Sequence, residues 1–140
     1  MLTVAGDTRR YRTLGKRLSS MEVLIVESQP DLGNLWKSCL ERRGLNVTLA
    51  TSQTQAFAAL SAQSFEMIIL DLILADGQAL AIADYASYRR PEARIIFVTN
   101  TSFFSDGSIF QLSSNACAFV QSATPPEDLA TMVQHYASVS

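Results

Sequence analysis

Met67-Ile68-Ile69-Leu70-Asp71-Leu72-Ile73-Leu74, followed directly by Ala75-Asp76-Gly77, is the most apolar run in the chain and the stretch that decides the fold. Such an unbroken run before a turn reads as a short strand buried on both faces, the kind found inside a parallel sheet. Asp71 closes that strand. A charge in this place costs energy unless it is paired, bound to a metal or turned toward solvent at the strand end. Two readings stay open on this segment alone: Asp71 caps the turn before the next helix, or it is a reactive carboxylate.

Outward from this strand, short β-branched runs alternate with segments of helical period. Val23-Leu24-Ile25-Val26 is a continuous apolar strand, and Pro30 opens a helix whose Leu32, Leu35, Trp36, Cys39 and Leu40 form one inward stripe. Gly44 stands where a left-handed cap is usual. Asn46 to Ala50 reads as a second strand, and Ser52-Gln53-Thr54-Gln55 is a capping-box pattern opening a helix with Phe57 and Leu60 inward. After Asp71 a helix runs from about Gln78 to Tyr88, with Ala79, Ile82, Ala83 and Ala86 on one side, and stops before Pro91. Ile95-Ile96-Phe97-Val98, ending at Thr99, is the fourth strand, and a weaker helix is predicted around Asp106 to Leu112. The fifth strand spans about Cys117 to Val120. Thr124-Pro125-Pro126-Glu127 then predicts a helix with Thr124 as N-cap, Glu127 as its capping glutamate and Leu129, Met132, Val133 and Tyr136 inward.

Five strand–helix units define an α/β domain, a single doubly wound (βα)5 flavodoxin-like fold with a five-stranded parallel sheet in the order 2-1-3-4-5. The 140 residues suit one domain without a second output module, so a stand-alone protein is expected. Charge divides the chain. Residues 1–20 carry a net +4 and residues 21–140 a net −6. The first segment has no helical or strand period and reads as a basic, disordered leader; residues 21–140 form the domain. A hydrophobic fraction of 48% excludes disorder over most of the chain. No apolar stretch approaches the roughly 20 residues of a membrane span, and no secretory signal is visible, so a cytoplasmic setting without membrane contact is expected. Cys39 and Cys117 lie far apart without metal-ligand spacing and read as core residues, while His135 has no Cys or His neighbour and reads as a solvated helix residue.

In doubly wound sheets the ligand site lies outside the carboxyl ends of the strands. The residues there are Glu27 and Ser28 after the first strand, Asp71 after the third, Thr99 after the fourth and Ser122 after the fifth. In the order 2-1-3-4-5, Glu27 and Asp71 come within reach of each other. Such a pair could hold Mg²⁺ or share a proton. No G-x-x-x-x-G-K-[ST] or G-x-G-x-x-G motif supports nucleotide binding, and no histidine is placed to activate a Ser or Cys nucleophile. Asp71 is then the best candidate nucleophile, suited to accepting a phosphoryl group. A small flavodoxin-like or hydrolytic enzyme using Glu27 and Asp71 is the competing class.

Val-Leu-Ile-Val-Glu-Ser-Gln-Pro (23–30), Ile-Ile-Leu-Asp-Leu-Ile-Leu-Ala-Asp-Gly (68–77), Ile-Ile-Phe-Val-Thr (95–99) and Ala-Phe-Val-Gln-Ser-Ala-Thr-Pro-Pro-Glu-Asp-Leu (118–129) occur in register. From Met21 to about Ser138 the chain resembles the receiver (CheY-like) domain of bacterial two-component response regulators. The resemblance implies a non-enzymatic signalling module of a phosphorelay. It implies Asp71 as phosphoacceptor, Thr99 as phosphate-sensing hydroxyl and Phe119 as aromatic switch. It also implies Mg²⁺ held by Glu27, Asp71 and the backbone carbonyl of Ile73. The implied partners are a histidine kinase or phosphotransfer protein and a downstream protein target, reached through the surface of the predicted 106–112 helix, the fifth strand and the last helix. No nucleic-acid binding by the domain is implied.

The acidic pocket is partly degenerate against the family pattern. Ser28 replaces the acid that normally contacts the metal, so Mg²⁺ binding should be weak. Ser122 stands where the family has a phosphate-pairing lysine, and Ala123 and Ala75 replace two usual prolines. A slowly phosphorylated receiver and a phosphorylation-independent pseudo-receiver acting only as an interaction module are both compatible with these changes.

Overall fold

The computed structural model describes residues 21–74, 79–99 and 115–138. Five strands, β1 (Glu22–Val26), β2 (Asn46–Ala50), β3 (Met67–Asp71), β4 (Arg94–Thr99) and β5 (Ala116–Gln121), form one parallel sheet in the order β2-β1-β3-β4-β5. Four helices are described: α1 (Pro30–Arg42), α2 (Gln53–Ala62), α3 (Ala79–Arg89) and α4 (Pro126–Ser138). The predicted helix at 106–112, the predicted start of α3 at Gln78 and the leader 1–20 lie outside the described residues.

Strand periodicity sorts the core into two layers. Leu24, Val26, Ile68, Leu70, Ile95 and Phe97 face one side, where Ala56 and Leu60 of α2 and the Ala79, Ile82, Ala83, Ala86 stripe of α3 cover them. Val23, Ile25, Met67, Ile69, Ile96 and Val98 face the other, under Trp36, Cys39 and Leu40 of α1 and Leu129, Ala130 and Val133 of α4. A strand sandwiched this way must be apolar at every position. That is why β3 reads as an unbroken hydrophobic run up to Asp71 at its end, and all five of its residues are buried.

Helix ends follow local chemistry, with three departures from expectation. Pro30 occupies the first turn of α1, and at its other end Gly44 takes φ 86°. There the Leu45 N–H reaches the Leu40 carbonyl at 3.2 Å and the Gly44 N–H the Glu41 carbonyl at 3.0 Å, a Schellman closure that a Cβ would disfavour. Ser52 caps α2 by accepting the Gln55 N–H at 3.2 Å; the Gln55 carboxamide reaches back one residue further than a capping box, to the Thr51 N–H at 2.7 Å. Leu35, expected inside, is 50% exposed. Gly33, Trp36, Cys39 and Leu40 are the buried face of α1, and the missing side chain of Gly33 lets the helix lie so close to β2 that a Cβ there would stand 2.7 Å from Leu49 Cδ1.

At α4, Thr124 and Glu127 do not do the capping expected of them. The Pro125 carbonyl accepts the first helical N–H groups, from Asp128 at 3.0 Å and Leu129 at 3.1 Å. Glu127 instead turns to α1, where Oε2 meets Arg42 Nη2 at 3.1 Å and Oε1 meets Arg43 Nη2 at 3.0 Å. Arg43 adds donors to Thr131 Oγ1 at 2.9 Å and Gln134 Oε1 at 3.0 Å, so one guanidinium reads three successive turns of α4. Met132 and Tyr136 are half-buried beside Leu129 and Val133, and Phe57 is likewise only half-buried in α2. Cys39 is a core residue as expected, and Cys117 is half-buried. Burial pushes both thiols up, Cys117 to about 11, so neither is a thiolate at neutral pH.

Candidate functional site

The pairing Val26↔Leu70, continued one residue, sets Glu27 beside Asp71 at the carboxyl ends of the two adjacent central strands. Both side chains follow the α1–α4 face, the parity of Ile25 and Ile69. Glu27 has no exposed surface and Asp71 is 7% exposed. The β1 strand continues its ladder through Glu27, whose N–H donates to the Ala50 carbonyl at 3.0 Å. On the far side of Asp71, the Leu72 N–H donates to the Val98 carbonyl at 2.8 Å, so the chain leaves the sheet only after the carboxylate has been placed.

Each carboxylate commits one oxygen to the loop that follows it. Glu27 Oε2 accepts the Gln29 N–H at 3.0 Å, and Asp71 Oδ1 accepts the Ile73 N–H at 2.9 Å. These are turn-closing bonds to the residue two ahead. The capping reading and the reactive reading of Asp71 are therefore compatible, since its carboxylate has a second oxygen. Glu27 Oε1 is buried and has no hydrogen-bond partner among the described residues. Burial pushes the Glu27 carboxyl up to about 7, and the adjoining Asp71 carboxylate adds to the effect, while the N–H groups of Gln29 and Ser28 oppose it. An orphaned carboxylate oxygen beside a second carboxylate calls for a proton or a cation, so the donor set fits a hard divalent ion. It is a sparse set. No group of three or more His, Cys, Asp or Glu side chains suited to a metal occurs among the described residues.

Asp71 opens on a cleft of about 240 Å³ lined by Gln29, Leu32, Asp71, Ile73, Ser122 and Ala123. Ser122 is thus brought to Asp71 from the far edge of the sheet, with its N–H donating to the Thr99 carbonyl at 2.8 Å. Thr99 is fully buried at the end of β4, one residue beyond Val98, the register partner of Asp71. Phe119 lies deeper along β5, opposite Phe97, half-buried against the α2–α3 core layer. Ser28 is half-buried between Glu27 and Gln29, and Ile73 is 53% exposed at the cleft rim. His135 is exposed on α4 and its ring meets Tyr136, away from these strand ends.

Gln29 and Leu32 are cleft residues that motif reading passed over. In the sequence Leu32 shows only as part of a helix stripe. For Gln29 a signal existed: it is the residue just before a helix-opening proline, where a short oxygen-bearing side chain is usual.

Among the described residues no helix is long and apolar enough to cross a membrane. The chain is similar to the response regulator protein PilR of Pseudomonas aeruginosa, 29% identical over 112 residues that are 80% of this chain and 24% of that protein. It spans about a quarter of the length of the curated relatives it matches. Among solved structures, a response regulator receiver domain protein (CheY-like) from Methanospirillum hungatei superposes with a TM-score of 0.76 at 24% identity, covering 85% of this chain and 94% of that one. A response regulator protein from Burkholderia pseudomallei, solved with a phosphorylated aspartic acid, calcium ion and citrate, gives 0.71 at 22% identity over 85% of this chain and 74% of that one. The model of the response regulator receiver domain matches residues 23–134, four-fifths of the chain, and the protein belongs to that family.

Proposed function

We propose that this receiver takes part in two-component signalling by accepting a phosphoryl group on Asp71 and acting through protein contacts. The observation that carries the reading is the placement of Asp71, a nearly buried carboxylate with one oxygen held by the Ile73 N–H and an open cleft before it. The second oxygen attacks phosphorus, and the phosphorus–nitrogen bond of a phosphohistidine, or the phosphorus–oxygen bond of acetyl phosphate, breaks with its electron pair going to the leaving group. An aspartyl phosphate results. The donor is a histidine kinase or phosphotransfer protein, and a downstream protein is the target.

Glu27, Asp71 and the Ile73 backbone carbonyl would hold Mg²⁺, with Ser28 in place of a further acid making the site weak. Bound there, the ion supplies charge neutralisation of the transferring phosphoryl oxygens. Ser122 offers the phosphoryl group a neutral hydroxyl. Thr99, at the adjacent strand end, follows the phosphate, and Phe119 relays the change along β5. A phosphorylated aspartic acid in the Burkholderia relative supports this assignment by analogy.

Intact mass spectrometry after incubation with acetyl phosphate and Mg²⁺ tests the reading. One phosphoryl adduct in the wild type and none in Asp71→Asn is expected; equal adducts in both would sink it. Ser28 and Ser122 favour a second reading, a pseudo-receiver that binds its partner unphosphorylated. That reading requires Asp71→Asn to keep partner binding intact, and a folded Asp71→Asn that no longer binds rules it out.

A further inference from the structure

Gln29 is the N-cap residue of α1, yet its side chain makes no cap bond. Ser, Thr, Asp and Asn are favoured there because a short side chain can turn back onto the N–H groups of the first turn. Glutamine forgoes that stabilisation, so its presence calls for another reason. The backbone of Gln29 is firmly held, with its N–H on Glu27 Oε2 and its carbonyl accepting the Gly33 N–H, both at 3.0 Å. Gln29 is exposed and lines the Asp71 cleft, and its carboxamide has no hydrogen-bond partner among the described residues.

The composition of that wall narrows what the carboxamide does. Leu32, Ile73 and Ala123 have no polar side-chain atoms, which leaves Gln29 and Ser122 as the side-chain donors among the described lining residues. None of the described lining residues is cationic. A phosphoryl group on Asp71 carries about two negative charges and three acceptor oxygens, and a carboxamide NH₂ supplies two N–H donors.

We propose that the Gln29 carboxamide is a ligand-binding group of this cleft, its Nε2 donating to a non-bridging oxygen of the phosphoryl group on Asp71 opposite the Ser122 hydroxyl. The anion is then held between α1 and the β5–α4 loop by two neutral donors. No proton is transferred. This rests on the phosphoacceptor reading of Asp71, and it assigns the position preceding Pro30 to recognition of the anion instead of closure of the helix.

Gln29→Ser separates binding from structure, because a serine restores the missing cap while withdrawing the donor from the cleft. Titration with beryllofluoride in Mg²⁺, alongside thermal melting, reads both. The expected result is a melting midpoint equal to or above wild type together with about tenfold weaker beryllofluoride binding, the loss of one hydrogen bond to a charged group. Gln29→Glu keeps the length but presents an anion, and should bind more weakly still. Equal affinities in wild type, Gln29→Ser and Gln29→Glu overturn the proposal, as does a Gln29→Ser whose weaker binding comes only with a lowered midpoint. Wild-type protein that binds no beryllofluoride overturns the phosphoacceptor reading, and this proposal with it. Binding to wild type that Asp71→Asn abolishes, with the Gln29 variants unchanged, overturns the Gln29 assignment alone.

Discussion

Glu27 lies fully buried beside Asp71, with one of its oxygens given to the Gln29 N–H and the other, Oε1, without a hydrogen-bond partner among the described residues. Burial, and then the neighbouring Asp71 carboxylate, pushes the Glu27 carboxyl up to about 7.

The stability consequence has a definite sign. The folded-state pKa is raised above the ordinary 4.5, so between pH 4.5 and 7 the folded protein binds more protons than the unfolded chain, and stability falls as pH rises through that window. The cost, on the order of 3 kcal/mol, is complete above pH 7. Urea midpoints measured in EDTA from pH 5 to 8 should decline in the wild type and stay nearly level, by comparison, in Glu27→Gln. An equal slope in the two proteins would place the titrating group elsewhere.

Ser122→Lys restores a cation to the cleft. A charge-assisted hydrogen bond is roughly twice as strong as a neutral one, so labelling of Asp71 by acetyl phosphate should accelerate about five- to tenfold. The rate of adduct formation by intact mass measures it. An unchanged rate would mean that the residue 122 side chain does not reach the phosphoryl group.

Ser28→Asp adds a third carboxylate next to Glu27. Mg²⁺ prefers hard oxygen ligands, and the added acid should tighten its dissociation constant by about tenfold, followed through the fluorescence of Trp36, the single tryptophan, buried in α1. No change in Mg²⁺ affinity would show that position 28 faces away from the ion.

Glu127→Ala removes the carboxylate shared by Arg42 and Arg43. The pair is solvent-exposed on the glutamate side, and exposed ion pairs contribute little, so the melting midpoint should drop by only a few degrees, with the difference shrinking in high salt. A collapse of the fold in this variant would assign the α1–α4 clamp a larger part than its exposure allows.

Much of the architecture is written in local pattern. β1, β3 and β4 are buried on both faces, which demands an apolar residue at nearly every position, and such runs are visible in any window of five. The Ala79, Ile82, Ala83, Ala86 stripe could be placed inside from spacing alone because a single helix face meets the sheet. Leu35 and Glu127 misled for one reason: helix periodicity specifies a face but not where its edge falls, and capping patterns do not reveal that another helix brings two arginines to the same glutamate.

Residue order by itself therefore determined the sequence of strands and helices, the 2-1-3-4-5 expectation, and Asp71, Glu27, Thr99 and Ser122 as strand-end candidates. Tertiary structure alone decided how fully the Glu27 and Asp71 pair, 44 residues apart and expected within reach of each other, is buried, that Ser122 completes the same cleft, and that Gln29 lines it. Burial, and with it the raised Glu27 pKa, depends on what surrounds a side chain in three dimensions. Proximity across a parallel sheet comes from strand pairing, which no local window of the chain contains.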